Sequence, residues 1–237
     1  MIACHKKEIP HDLSQAHIMK PILFNTAMVQ AILEGRKTVT RRAIKPQPAG
    51  ALRPMGAGSC WPGCFEASGE ERIYRPPYQP GDILYVRETW AKIPVSPGGH
   101  FRPTGVYYYK AGPVKVPEKY LERWRPSIHM PRAAARIFLR VTAVKTARLQ
   151  EVEKEDVLRE GVEPKYYAGG CKCAWAFEGC MEKPCANRDG YIDLCHWMPF
   201  SELWDKTVKP ADRSAYGWEA NPWVWVIEFE RIGREDA

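Results

Sequence analysis

The sequence predicts an α+β fold, a small mixed β-barrel carrying peripheral helices and two irregular insertions. Three observations carry this expectation. Short runs rich in β-branched and aromatic residues recur along the chain, as at Ile83-Leu84-Tyr85-Val86 and Trp223-Val224-Trp225-Val226-Ile227. Helical periodicity is confined to brief stretches. Two tracts rich in Pro, Gly or Cys, near 43–80 and 165–198, interrupt the regular pattern.

The elements follow in order. Ile22, Leu23 and Phe24 form a short strand. Asn25 or Thr26 caps a helix in which Met28, Val29, Ile32 and Leu33 share one face. Gly35 is placed to end it in a left-handed conformation. Thr38, Val39 and Thr40 are β-branched and favour an extended chain after it. Pro80-Gly81-Asp82 marks a turn that launches a strand from Ile83 to Trp90. Val106–Lys110 is a further strand, bearing Tyr107, Tyr108 and Tyr109. Two prolines restrict the loop Trp124–Arg132. Ile137, Leu139 and Val141 alternate in another strand, which Val144 extends. Leu149–Gly161 is a short helical region ending in glycine, and Phe200–Trp204 a short helix. The chain closes on the strand Trp223–Ile232, with Trp223, Trp225, Ile227 and Phe229 on its apolar face. No internal repeat or low-complexity tract is present.

Composition narrows the function classes. A chain of 237 residues, 45% hydrophobic, is long enough for one sizeable core. Residues 19–232 are expected to form a single domain containing the two insertions, with 1–18 a disordered extension or an overextended start and 233–237 a tail. The 35 basic residues exceed the 28 acidic ones, for a net charge of +7, which favours a polyanionic partner such as RNA, DNA or a nucleotide. No apolar run approaches the roughly 20 residues needed to span a membrane, and Met1–Lys20 has no secretory signal character. Eight cysteines without such a signal point to a reducing, cytoplasmic setting in which disulfides are not expected.

The densest chemistry lies in Gly35-Arg36-Lys37-Thr38-Val39-Thr40-Arg41-Arg42. Two hydroxyls, one ammonium and three guanidiniums fall within eight residues at the negative end of a helix dipole. Such a cluster binds phosphate, activates a hydroxyl, or simply caps a helix in water. Strand alternation sends residues three apart to opposite faces, so Lys37 and Thr40 share one pocket only if the chain bends between them.

The assembled order is a helix, G-R-K-T-x-T-R-R, then G-D-I-L-x-V-R-E-T-W, an acidic helix ending E-G, and finally N-P-W-V-W-V-I-E-F. This resembles ASCH-domain proteins of the PUA-like superfamily, and most of all the larger ASCH proteins of phages and prophages. The resemblance runs from about Met19 to Ile232, the insertions excepted. It implies a small PUA-like barrel whose cleft accepts RNA or a modified nucleoside. It also implies kinship with acetylcytidine amidohydrolases, which remove an acyl group from the exocyclic amine of cytidine. Their G-x-K-T-x-T pattern and later glutamate fall on Lys37, Thr40 and Glu160. In that comparison Thr40 is the nucleophile, Lys37 its base, and Glu160 handles protons at the leaving amine. The chemistry is sensible in itself. A threonine hydroxyl needs a base, burial and nearby cations lower a lysine pKa, and a carboxylic acid protonates a leaving group. The chain departs from the small enzymes of this kind by being about twice their length on the usual single-domain scale. Glu160 also stands among Glu151, Glu153, Glu155, Asp156 and Glu163, an acidic surface in which one carboxylate proves little.

Further candidates for contact with substrate or nucleic acid are Arg36, Thr38, Arg41 and Arg42 in the same stretch, and Arg87, Glu88 and Trp90 at a strand end. Trp124, Ser127 and Arg132 join them from the loop that also holds Arg125 and His129. An aromatic plane beside guanidiniums suits base stacking and phosphate contact; a structural loop and a core Trp90 are the alternatives. Cys171, Cys173, Cys180 and Cys185 have donors suited to a structural zinc, with Cys195 or His196 as substitutes and Cys60 and Cys64 as weaker additions; free thiols are the other reading. The hydrolytic chemistry itself requires no cofactor. Two alternatives to a hydrolase remain: a non-catalytic module binding RNA or modified DNA, and a ribonuclease using the same cleft.

Overall fold

The computed structural model describes residues 19–92, 107–112, 123–163 and 197–237. Among the described residues the architecture is mixed α+β, with sheets of five, three and two strands and few helices. The chain divides into two compact units. One is drawn from the residues up to Val29, from Pro48–Val144 and from Glu228–Ala237; the other comprises Gln30–Gln47 and Lys145–Ile227.

In the first unit β1 (Lys20–Leu23) lies parallel to β6 (Ile83–Arg87), Lys20 opposite Leu84 and Leu23 opposite Arg87. Residues Ile83, Leu84, Tyr85 and Val86 are all buried, as expected of a strand covered on both faces. The Lys20 ammonium meets Asp82 at 2.5 Å at the turn before β6. The strand expected to run to Trp90 breaks at Glu88-Thr89 and resumes as β7 (Trp90–Lys92), which pairs antiparallel with β8 (Tyr107–Tyr109). β9 (Phe138–Arg148) pairs antiparallel with β6. Tyr85, Trp90, Met130, Ala134, Ala135 and Phe138 pack as one core cluster.

The tract 43–80, expected to be irregular, holds a three-stranded antiparallel sheet: β3 (Leu52–Pro54), β4 (Phe65–Ala67) and β5 (Ile73–Tyr74). Strands of two or three residues are too short to display a period-two pattern, which is why composition pointed elsewhere.

In the second unit α1 (Thr26–Leu33), which begins in the first unit, delivers the chain to β2 (Val39–Ala43). Asn25 is its cap, its Oδ1 accepting the Met28 N–H at 2.9 Å. The short helices α2 (Lys154–Arg159), α3 (Trp197–Thr207) and α4 (Arg213–Tyr216) follow. Val39, Val157, Phe200, Trp204, Trp218 and Val224 belong to a single core cluster. Trp204 donates its indole N–H to the Tyr216 carbonyl at 2.8 Å, and Trp218 stands edge-on to Phe200.

β10 (Trp223–Ile232) corrects one expectation. Val224 and Val226 are buried as well as Trp225, Ile227 and Phe229, whereas Trp223 is only half-buried. A central strand covered on both sides has no single apolar face. The order of the main sheet is β1-β6-β9-β10-β2. Barrel closure would require the two outermost strands to pair; among the described residues β1 and β2 are instead the ends of an open sheet.

No helix among the described residues is long and apolar enough to cross a membrane.

Candidate functional site

The site is built where the chain leaves α1. Gly35 takes φ +76°, the left-handed conformation the sequence called for. The N–H groups of Arg36 and Lys37 then both bond the Ala31 carbonyl, at 2.9 and 3.0 Å. Beyond this turn the chain pairs with the end of α2. Thr38 N–H donates to the Arg159 carbonyl at 2.8 Å, and Lys37 forms an antiparallel bridge with Glu160. Gly161 makes that approach feasible. Its φ is +78°, and a Cβ there would stand 2.6 Å from the Ala31 Cβ and 3.0 Å from the Lys37 Cβ.

This pairing converts remote positions into one buried ionic cluster. Lys37 Nζ donates to Glu160 Oε2 at 2.7 Å, to the Glu160 carbonyl at 2.8 Å and to the Val39 carbonyl at 2.7 Å. Arg41 Nη1 donates to Glu160 Oε1 at 3.1 Å, and its Nη2 to Asp156 Oδ2 at 2.6 Å. Arg159 closes the cluster on Asp156 at 3.3 Å. Lys37, Arg41 and Glu160 are 3%, 4% and 5% exposed. Removal from water pushes the Lys37 ammonium below its ordinary pKa. The Glu160 carboxylate opposes that shift, while Arg42 and Arg41 add to it.

Strand alternation sorts the remaining side chains. Lys37, Val39 and Arg41 share one parity; Thr40 and Arg42 share the other. Thr40, 1% exposed, accepts a hydrogen bond from Arg42 Nη1 at 2.8 Å. Arg42 Nη1 also reaches the Arg41 carbonyl at 3.0 Å. The amine and the acid therefore meet directly, and the hydroxyl pairs with a guanidinium instead. The Lys37 ammonium nonetheless lies against the carbonyl of the peptide joining Val39 to Thr40.

Arg36 and Thr38 border the cluster. Arg36 pairs with Glu34 at 2.5 Å and Glu163 at 3.3 Å and donates to the Gly161 carbonyl. Thr38 Oγ1 accepts from Arg159 Nε at 3.4 Å.

The other predicted contact residues lie in the first unit. Arg87 reaches the Ile128 carbonyl at 3.3 Å. Glu88, 1% exposed, receives Arg136 on both oxygens, at 2.8 and 2.9 Å, an arrangement that holds a strand end rather than offering a carboxylate to solvent. Trp90, 2% exposed, is a core residue edge-on to Tyr107. Trp124 is half-buried and lines a cavity with Arg123, Arg125, Pro126 and His129. Ser127 begins the single 3-10 turn that ends at His129, and exposed Arg132 begins the next.

Sequence reasoning missed Asp156, Arg159 and Arg136 as ionic partners. The signal for the first was present: Asp156 and Glu160 are four residues apart, the spacing that puts two side chains on one helical face.

Cys171, Cys173, Cys180 and Cys185, with Cys195 and His196, lie outside the described residues. Among the described residues no group of three or more His, Cys, Asp or Glu side chains is disposed to hold a metal ion. Cys64 is a buried free thiol, whereas Cys60 is disulfide-bonded, against the expectation that no disulfide forms.

Set against family models, curated proteins and solved structures, the chain matches none of them.

Proposed function

We propose that this chain is an ASCH-type, PUA-like protein that binds RNA or a modified nucleoside and hydrolyses the amide of an acylated cytidine-like base. One observation supports the reading above the rest. The Lys37 amine and the Glu160 carboxylate, 123 positions apart, meet at 2.7 Å beside the Val39–Thr40 peptide. A buried ammonium–carboxylate pair exchanges a proton to become a neutral amine and a carboxylic acid, the base and the acid that amide hydrolysis requires.

The steps follow from that exchange. Lys37 passes a proton to Glu160, and the neutral amine takes the proton of the Thr40 hydroxyl. The Thr40 oxygen bonds the acyl carbon, and Arg42, already donating to Oγ1, stabilises charge there. The acyl carbon–nitrogen bond breaks, and Glu160 protonates the departing amine. The acyl-threonine is then hydrolysed by the same pair. Lys37 again passes its proton to Glu160 and deprotonates a water. Hydroxide adds to the ester carbon, the bond from that carbon to the Thr40 oxygen breaks, Glu160 returns a proton to the Thr40 oxygen, and the acyl group leaves as its carboxylic acid. Because Thr40 is 1% exposed, substrate reaches its hydroxyl only when surrounding side chains shift while Arg42 keeps its hydrogen bond to Oγ1.

The test is release of cytidine and acetate from acetylcytidine. Thr40→Ala is expected to abolish turnover and Thr40→Ser to retain part of it. Full activity in Thr40→Ala overturns the assignment of the nucleophile.

The burial of Thr40 favours a second reading, a module that binds RNA or modified DNA without chemistry. Arg41, consumed by Glu160 and Asp156, then contributes little to affinity, and exposed arginines carry it. Salt-sensitive RNA binding without turnover of any acylated nucleoside distinguishes this reading.

A further inference from the structure

We infer that the cavity lined by Arg123, Trp124, Arg125, Pro126 and His129 is a nucleotide subsite, which takes a base against Trp124 and its phosphate on the flanking guanidiniums and His129. The inference deepens the nucleic-acid side of the proposed function and does not depend on the hydrolytic step.

The framework under the cavity is fixed at many points. Trp90 and Arg125 exchange backbone hydrogen bonds in both directions, at 3.2 and 2.7 Å. The Arg125 guanidinium lies 5.2 Å from the ring centre of buried Trp90. Arg87 holds the Ile128 carbonyl, Met130 and Ala134 are buried, and the Tyr109 hydroxyl donates to the Ala134 carbonyl at 2.6 Å. Pro126 and Pro131 each precede a 3-10 turn and restrict the backbone there. An irregular segment anchored in this way presents its outward side chains at low conformational cost.

The lining then selects the ligand. Among the described residues it contains two guanidiniums, an imidazole and an indole, and no carboxylate. The nearby Glu88 is already neutralised by Arg136. Guanidinium groups match the oxygens of a phosphate in paired hydrogen bonds. An indole face stacks a nucleobase without regard to its identity. The cavity measures about 440 Å³. That lies within the roughly 300–1,000 Å³ typical of small-ligand sites and is larger than a bare phosphate needs. The shared chemistry is a nucleoside phosphate, supplied either as a free nucleotide or as a unit of single-stranded RNA.

The experiment is calorimetric titration of the full chain at low salt with cytidine 5′-monophosphate, cytidine, inorganic phosphate and a short oligocytidylate. The monophosphate is expected to bind at least about tenfold more tightly than cytidine or phosphate alone. Trp124→Ala should weaken it by about tenfold and Trp124→Phe much less, because the phenyl ring still stacks. Arg123→Ala, at an exposed position, should flatten the salt dependence. Tighter binding of the oligomer than of the monophosphate assigns the site to RNA; equal binding assigns it to a free nucleotide. Equal binding of phosphate and monophosphate, unchanged binding in Trp124→Ala, or no binding at all overturns the inference. Deacylation of acetylcytidine, assayed on the same preparation, separates the two proposals. Turnover without nucleotide binding removes this subsite alone, and binding without turnover removes the hydrolase alone.

Discussion

Glu160 gives one carboxylate oxygen to Lys37 at 2.7 Å and the other to Arg41 at 3.1 Å, so two buried cations share a single buried acid. Removing one member of a buried pair leaves a charge without its partner, at a cost of about 3–5 kcal/mol. Glu160→Gln therefore destabilises more than Lys37→Met, since it takes a carboxylate from both Lys37 and Arg41, whereas Lys37→Met leaves Glu160 its ion pair with Arg41. The double variant Lys37→Met/Glu160→Leu should cost less than the sum of its single changes, because the amine and its acid leave together and Arg41 keeps Asp156. Urea unfolding of the four proteins checks this, and strict additivity would show that the pair is not coupled.

The same burial predicts a pH dependence with a definite sign. The Lys37 pKa is lowered from 10.5 in the folded chain, chiefly by desolvation. Between the folded value and 10.5 the unfolded chain therefore holds more protons than the folded one. Stability then rises with pH across that window and levels off above it. The stability of the wild type relative to Lys37→Met should increase as pH climbs toward 10.5. Denaturation of both proteins through this range isolates Lys37 from the other titrating groups, and a falling difference contradicts the direction assigned here.

Two glycines separate backbone strain from close packing. Both Gly35 and Gly161 have positive φ, but a Cβ at 35 meets nothing within 4 Å, whereas one at 161 meets the Ala31 Cβ at 2.6 Å. Gly35→Ala should cost about 1 kcal/mol, the usual penalty for a left-handed non-glycine residue. Gly161→Ala must also displace α1 or Lys37 from the Glu160 bridge. Its melting temperature should fall further, and acetylcytidine turnover should fall with it under the proposed function. Equal melting temperatures would mean that the 159–161 segment does not press on Lys37.

If Thr40 is the nucleophile, Arg42 acts on its oxygen through the 2.8 Å hydrogen bond. Loss of one donor to a developing oxyanion lowers turnover by roughly 10²–10³-fold in well-studied cases. Arg42→Met should then reduce kcat by about 10²-fold, with a smaller change in KM, and Arg42→Lys should recover part of the loss. A variant that raises KM alone would place Arg42 in substrate binding.

The half of the cluster between Gly35 and Arg42 was legible because its chemistry is contiguous: a helix stop, β-branched residues and closely spaced cations. The acidic half was not, since Glu160 is one of six acidic residues between 151 and 163 and only its tertiary pairing with Lys37 distinguishes it. Thr40 illustrates a second limit. Alternation lets it share a pocket with Lys37 only if the chain bends between them, and the length of the lysine side chain, which brings Nζ back to the Val39 carbonyl, is invisible to a period-two rule. The ends of the main sheet likewise depend on which strands pair, and a list of apolar runs does not contain that information.

The small sheet hidden in 43–80 has its own titratable marker. Tyr74 stands opposite Phe65, is 4% exposed, and donates its hydroxyl to Glu70 Oε2 at 2.6 Å; Glu70 also accepts the Ala49 N–H. Burial and the nearby carboxylate push the Tyr74 phenol up to about 12. A raised phenol pKa means that the folded chain keeps a proton the unfolded chain loses. The associated stabilisation is therefore complete below the ordinary 10 and disappears as pH rises from 10 to about 12. Rapid pH-jump absorbance, read before the chain unfolds, should show the Tyr74 phenolate forming near 12, as the component of the titration that Tyr74→Phe removes. The same substitution should raise the Glu70 pKa from its lowered value, because the Tyr74 hydrogen bond is the largest contribution holding it down. A wild type whose late phenolate step survives in Tyr74→Phe would place the buried phenol elsewhere and leave the short sheet without its marker.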